Sequence, residues 1–127
     1  MPVCANDLLA SANDIKNKCN ATEADFRSAI SRAYYACYHG AVEFHSKLAK
    51  PGITKEKCGV HENLQHMLNH PNIPKTDDNH SKSLLIAHFL KGQLFNRRNV
   101  DYDLQMEITD KHVNVVFANT NKIFQNI

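Results

Sequence analysis

No two of the four cysteines form a C-x-x-C pair: Cys4, Cys19, Cys37 and Cys58 lie 15, 18 and 21 residues apart. That spacing removes zinc knuckles and dithiol redox motifs and leaves four thiols read as buried or idle. No apolar run approaches the roughly 18 residues that a membrane-spanning helix needs. The first residues, MPVCANDLLASANDIKNKC, lack a basic start followed by an unbroken apolar stretch. They do not read as a secretory signal, and the expected location is the cytoplasm, with no membrane partner. A net charge of only +2 argues against a protein that coats nucleic acid non-specifically, while leaving room for a local basic patch that binds phosphate. The patterns G-x-x-x-x-G-K-[ST], G-x-G-x-x-G and G-x-S-x-G are missing, as is a pair of carboxylates placed for acid–base work. The common nucleoside-triphosphatase, dinucleotide-binding and esterase chemistries are thereby excluded. Strand alternation, internal repeats and low-complexity tracts are also absent.

What is present is helical periodicity. A chain of 127 residues with 43% hydrophobic and 22% charged residues is expected to form one soluble domain over 1–127, around one modest core. Leu8, Ala12, Ile15 and Cys19 recur at helical spacing and predict a first helix ending near Asn20. Thr22 then reads as an N-cap, with Asp25 in the capping-box position. A long second helix follows from Glu23 to about Ala49, stopped by Pro51-Gly52. Phe26, Ile30, Ala33, Cys37, Phe44 and Leu48 form its core stripe, and Ser28, Arg32, Tyr35 and His39 lie opposite.

A short third helix is expected around Val60 to Leu68, followed by the turn-dense NHPNIPKTDDN. From about Ser81 a fourth helix carries apolar residues around nearly its whole circumference: Leu84, Leu85, Ile86, Ala87, Phe89, Leu90, Leu94 and Phe95. A helix apolar all round has two faces to bury, and in so small a domain the second face points to a homodimer. Thr109 caps a last helix with Val113, Val116, Phe117, Thr120, Phe124 and Ile127 on one side. The predicted architecture is all-α, an antiparallel bundle of four to five helices.

The run LFNRRNVDY, Leu94 to Tyr102, places two arginines, an aspartate and a tyrosine directly after an apolar stretch. Arg97 and Asp101 are four apart, as are Arg98 and Tyr102, so each pair shares a helix face. One reading is a surface ion pair of small energetic value and a tyrosine anchored in the core. The other follows from position. Arg97 continues the Ile86, Leu90, Leu94 side, at the edge of a packed surface, where its guanidinium would either satisfy itself on Asp101 or grip a phosphate bidentately.

The eight histidines invite a metal reading that their spacing refuses. His61 and His66 are five apart, about 140° around a helix, and His70 precedes a proline beyond the expected helix end. The expectation is no metal and no cofactor. His61, at the start of the third helix, is read either as a general base or as a helix-start residue bonded to backbone. Arg32, Tyr35 and His39 form a polar stripe that is either a solvated face or, if turned toward the end of the fourth helix, a second cation, a stacking ring and another imidazole.

The segment FRSAISRAYYACYHGAVEFH, Phe26 to His45, resembles the long helix of HEPN-domain proteins, roughly S-x-x-x-R-A-Y-Y-A-x-F-H. Ser28, Arg32, Ala33, Tyr34, Tyr35, Ala36 and His39 match, and Tyr38 stands in place of Phe. His61 resembles the family's isolated histidine, and RRNVDYD, Arg97 to Asp103, resembles its R-x-x-A-D-Y-D signature with Val100 for Ala. The resemblance implies a HEPN-like helical bundle, usually dimeric, of the kind found in prokaryotic toxin-antitoxin, phage-defence and CRISPR-associated systems. It implies a metal-independent endoribonuclease, or else a catalytically inactive module that binds RNA or a nucleotide. The third possibility is an accessory subunit for a nucleotidyltransferase-type antitoxin or another defence-system partner.

The family's R-x(4–6)-H motif is not kept: the fifth residue after Arg97 is Tyr102, and no histidine occurs between Arg98 and Lys111. Tyr102, His61 and His39 are the substitutes within reach. By this resemblance Arg97, Asp101, Tyr102 and His61 are the expected catalytic set, and Arg98, Arg32, Tyr35 and His39 the expected substrate-binding set.

Overall fold

Thr22 determines where the longest early helix begins. Its Oγ1 accepts from the Asp25 backbone N–H at 3.3 Å, while Asp25 Oδ2 accepts from the Thr22 N–H at 2.9 Å. This reciprocal box satisfies two donors that a helix start otherwise leaves open. In the computed structural model, which describes residues 3–127, five helices result: α1 (Ala5–Lys16), α2 (Glu23–Ser46), α3 (Val60–Asn69), α4 (Asp78–Tyr102) and α5 (Asp110–Phe124). The fold is all-α.

Helix ends differ from the periodicity reading by a few residues. α1 stops at Lys16 rather than near Asn20, since Asn20 has φ 58°, a left-handed value that no helical residue holds. α2 ends at Ser46, ahead of the Pro51 break. α4 begins three residues before Ser81, because Asp77 accepts from the Asn79 N–H at 2.9 Å and caps it.

Cross-helix contacts establish the directions. Arg32 near the middle of α2 reaches Ser11 in α1, and a Cβ on Gly40 would lie 3.8 Å from Ala5, so α1 and α2 run antiparallel. The start of α2 meets the end of α4 through Arg27 and Val100. Gln65 and Ser83 tie α3 to α4 in antiparallel sense, with Gln65 donating to the Ala87 carbonyl and Ser83 to the Leu68 carbonyl.

The core is laid along α2. Around its first half gather Ala12, Ile30, Val100, Ile108, Val113 and Val116; around its second half, Cys37, Phe44, Leu68, Ile86, Leu90 and Ile123. Burial of Ile30, Ala33, Cys37 and Phe44 matches the expected stripe. Two polar residues of α4, Ser83 and Gln93, are buried where periodicity gave no warning. Gln93, 1% exposed, donates to the Val116 carbonyl at 3.0 Å and to Thr120 Oγ1 at 2.8 Å. These bonds from the amide nitrogen tie α4 to α5, while Gln93 Oε1 is buried without a partner. Gly52 is required by close approach: a Cβ there would lie 2.0 Å from the Met67 carbonyl oxygen.

Among the described residues, no helix is long and apolar enough to cross a membrane.

Candidate functional site

Three elements converge at one end of the bundle: the middle of α2, the first turn of α3 and the last turns of α4. Arg97 is the centre. Its side chain is 14% exposed, and its Nη1 donates to Asp101 Oδ2 and to Tyr35 Oη, each at 3.3 Å. The guanidinium carbon lies 5.4 Å from the Tyr34 ring centroid and 5.6 Å from that of Tyr35. Two rings set edge to face thus flank the cation with their negative faces. Ser31 donates to the same Asp101 oxygen at 3.5 Å, a weak contact. Arg97 Nε is buried and has no hydrogen-bond partner.

His61 sits beside this arginine. Its Nδ1 is 2.5 Å from Tyr34 Oη. Burial, above all, pushes the Tyr34 phenol well above its ordinary value, against the pull of Arg97, so the phenol keeps its proton and has it to donate. No other acceptor hydrogen-bonds to that hydroxyl among the described residues. Nδ1 of His61 therefore accepts, and Nε2 carries the hydrogen. Burial lowers the His61 pKa, with help from Arg97, Arg98 and His39, which keeps the ring neutral at pH 7. His61 thus offers a proton outward rather than a lone pair, bonded to a side chain rather than to backbone.

Tyr38 completes the surround, its ring 4.4 Å from His61 and 5.2 Å from His39.

Five of the eight residues expected from sequence meet here: Arg97, Asp101, Tyr35, His61 and His39. Arg98 is exposed on the neighbouring face, lining a groove with Glu62, Gln65 and Phe95. Arg32 is elsewhere; it donates to Ser11 Oγ at 3.3 Å, toward α1. Tyr102, 76% exposed at the end of α4, shares the outer face of that helix with Phe95 and Arg98. Tyr34 and Tyr38 were not singled out for the site by residue type, although their four-residue spacing puts both on one side of α2 beside the polar stripe.

No family model, no curated protein and no solved structure matches the chain.

His66 and His70 are engaged locally. Nδ1 of His66 donates to the Ile53 carbonyl at 2.7 Å and Nδ1 of His70 to the His66 carbonyl at 2.9 Å, with the two rings stacked at 4.0 Å. Among the described residues no group of three or more His, Cys, Asp or Glu could hold a metal ion. Chemically, the site is a donor-rich cluster around one shielded guanidinium, with one carboxylate and several rings. That combination suits an anion attached to something planar, such as a phosphate joined to a nucleoside.

Proposed function

We propose that this chain is a HEPN-type, metal-independent endoribonuclease that acts as a homodimer. The observation that carries the reading is the Arg97 guanidinium, held between two tyrosine rings with its Nε sealed and unpartnered. An unsatisfied buried donor costs about 1–3 kcal/mol, and a guanidinium that turns toward a phosphate recovers it. In the proposed reaction the 2′-OH gives its proton to exposed His39 and attacks phosphorus. The bond from phosphorus to the 5′ oxygen then breaks, and the leaving oxygen, hydrogen-bonded by His61 Nε2–H, takes its proton from water. Arg97 and Arg98 stabilise the charge on the phosphorane, and Asp101 holds Arg97 in place. The products are a 2′,3′-cyclic phosphate and a 5′-hydroxyl.

The proposed dimer uses the outer face of α4, where Phe95 is 66% exposed and Leu84 and Leu85 are 39% and 38% exposed. Gly92 lies one turn before Phe95, and a Cβ added there would meet nothing within 4 Å. A bulky ring beside an open notch on one helix is what a two-fold axis can turn into mutual insertion. The same face carries Arg98 and Tyr102, so each copy would add groups to the other's cleft.

The second reading is a module that binds RNA or a nucleotide without cutting it, or an accessory subunit for a nucleotidyltransferase-type partner. What favours it is that His61 presents a hydrogen-bond donor and no histidine follows Arg97 at the family's spacing. Incubating the purified protein with a mixed RNA pool in excess chelator separates the two. Cyclic-phosphate ends lost in the Arg97→Ala and His39→Ala variants support the nuclease. Phosphate-dependent binding with intact RNA supports the module.

A further inference from the structure

On the side of α4 away from Arg97 lies a cavity of about 190 Å3 that no part of the proposed reaction uses. Its apolar floor is made by Ile30, Val100, Ile108 and Val116, all at most 4% exposed. An apolar cavity of about 150 Å3 is enough to take one benzene ring. The walls are held from outside. Arg27 donates to the carbonyls of Val100, at 2.8 Å, and of Met106, while Glu23 accepts from the Ile108 N–H at 3.1 Å. Val100, Met106 and Ile108 all line the cavity. One ion pair on the first turns of α2 therefore fixes three of its wall residues from 73 to 85 residues away in sequence.

The rim has one chemical character. Lys111 enters no ion pair among the described residues. His112 Nδ1 accepts from the Thr109 N–H at 3.0 Å, so its hydrogen is on Nε2 and the outward nitrogen is a donor. Asn96 and Asn99 also line the cavity, and Asp110 does not. A cation and a set of donors over an apolar pocket select a ligand with an anionic head and an apolar body.

We propose that this cavity binds a small monocarboxylate bearing a single ring or a branched aliphatic group, with the carboxylate on Lys111 and His112. The space is too small and too apolar for a nucleotide. The site is distinct from the Arg97 cleft, and the proposal stands whether or not the chain cleaves RNA.

The test is an amide chemical-shift titration of the full chain with benzoate, compared with benzyl alcohol, which keeps the ring, and acetate, which keeps the charge. Benzoate is expected to give saturable shifts centred on Val100, Ile108 and Val116, with both controls at least about tenfold weaker, one factor of ten in affinity. Lys111→Met, which keeps the apolar stem, should bring benzoate down to the level of benzyl alcohol. Val115→Trp, at a rim position 58% exposed, should close the mouth and abolish the shifts while leaving the fold intact by circular dichroism. The proposal fails if benzoate shows no saturable shift, if the shifts centre away from these residues, or if Lys111→Met binds like the parent.

Discussion

Arg27 and Arg97 are equally shielded from solvent, with side chains 13% and 14% exposed, and each faces a carboxylate one helical turn away. Only one of them is satisfied. Arg27 donates to Glu23 from Nε and Nη2 and to the carbonyls of Val100, Asp103 and Met106, so all three of its nitrogens are used. Glu23 in turn accepts from the Ile108 N–H. Arg97 uses Nη1 alone, on Asp101 and Tyr35, and leaves Nε sealed without a partner. Equal burial and equal ion pairing thus describe two different objects. A saturated guanidinium is a clamp on the chain; an unsaturated one, flanked by aromatic rings, is held ready for an acceptor the chain does not supply.

The sharpest way to break this comparison is a crossed experiment. Arg27→Met leaves part-buried carbonyls and the end of α4 without donors, and is expected to cost about 3 kcal/mol of folding stability in urea denaturation. Arg97→Met removes an orphaned donor along with its contacts and is expected to stay within about 1 kcal/mol of the parent. On RNA the order reverses. Cleavage should fall by about 10²–10³-fold when Arg97 is lost, the usual effect of removing a donor to a developing anion. If Arg97→Met unfolds the protein and Arg27→Met does not, the assignment of clamp and site is inverted.

Acidification separates the two ends a second way. The carboxyl of Glu23 is held below its ordinary 4.5, first by the Ile108 N–H and then by Arg27. The unfolded chain takes up that proton at a higher pH than the folded one. Its contribution is complete above 4.5 and is lost as pH falls through the folded value beneath. His61, lowered from 6.5 by burial and the neighbouring cations, has the same sign for the opposite charge change. Stability is full above 6.5 and declines as the unfolded chain protonates first. Denaturation midpoints measured from pH 7.5 down to 3 are expected to drop in two stages. Glu23→Gln should shrink the lower stage, which Asp7, Asp25 and Glu62 share, and His61→Gln the upper, which His45 shares, each leaving the other stage in place.

Much of this difference was illegible in the sequence for a physical reason. Arg97 stood out because Asp101 and the preceding apolar turn are local, and helical spacing reports on residues three and four apart. Arg27 and Glu23 look like one more exposed i, i+4 pair. Three of Arg27's acceptors are main-chain carbonyls from 73 to 79 residues later, and carbonyls carry no residue identity to read. The bond from Tyr34 to His61, 27 residues apart, depends on how α3 docks, which periodicity within one helix does not encode. Capping was readable, as at Thr22 and Thr109, since it is written within four residues. The buried amide of Gln93 was not, because a polar residue reads as surface until its partners on α5 are placed.

Arg32 provides the smallest expected effect and the tightest boundary for the site. It shares its helix face with Tyr35 and His39 in sequence, yet it is exposed and leans toward α1, with one bond to Ser11 at 3.3 Å between exposed groups. An exposed side chain with one long hydrogen bond contributes within about 0.5 kcal/mol. Arg32→Ala is therefore expected to leave both urea midpoint and RNA cleavage unchanged, while Tyr35→Ala, which removes a ring and a hydroxyl from Arg97, weakens cleavage. Cleavage by Arg32→Ala that falls as far as with Tyr35→Ala would mean the RNA path crosses α1. The cleft would then extend along the whole polar stripe of α2 rather than ending at Ser31.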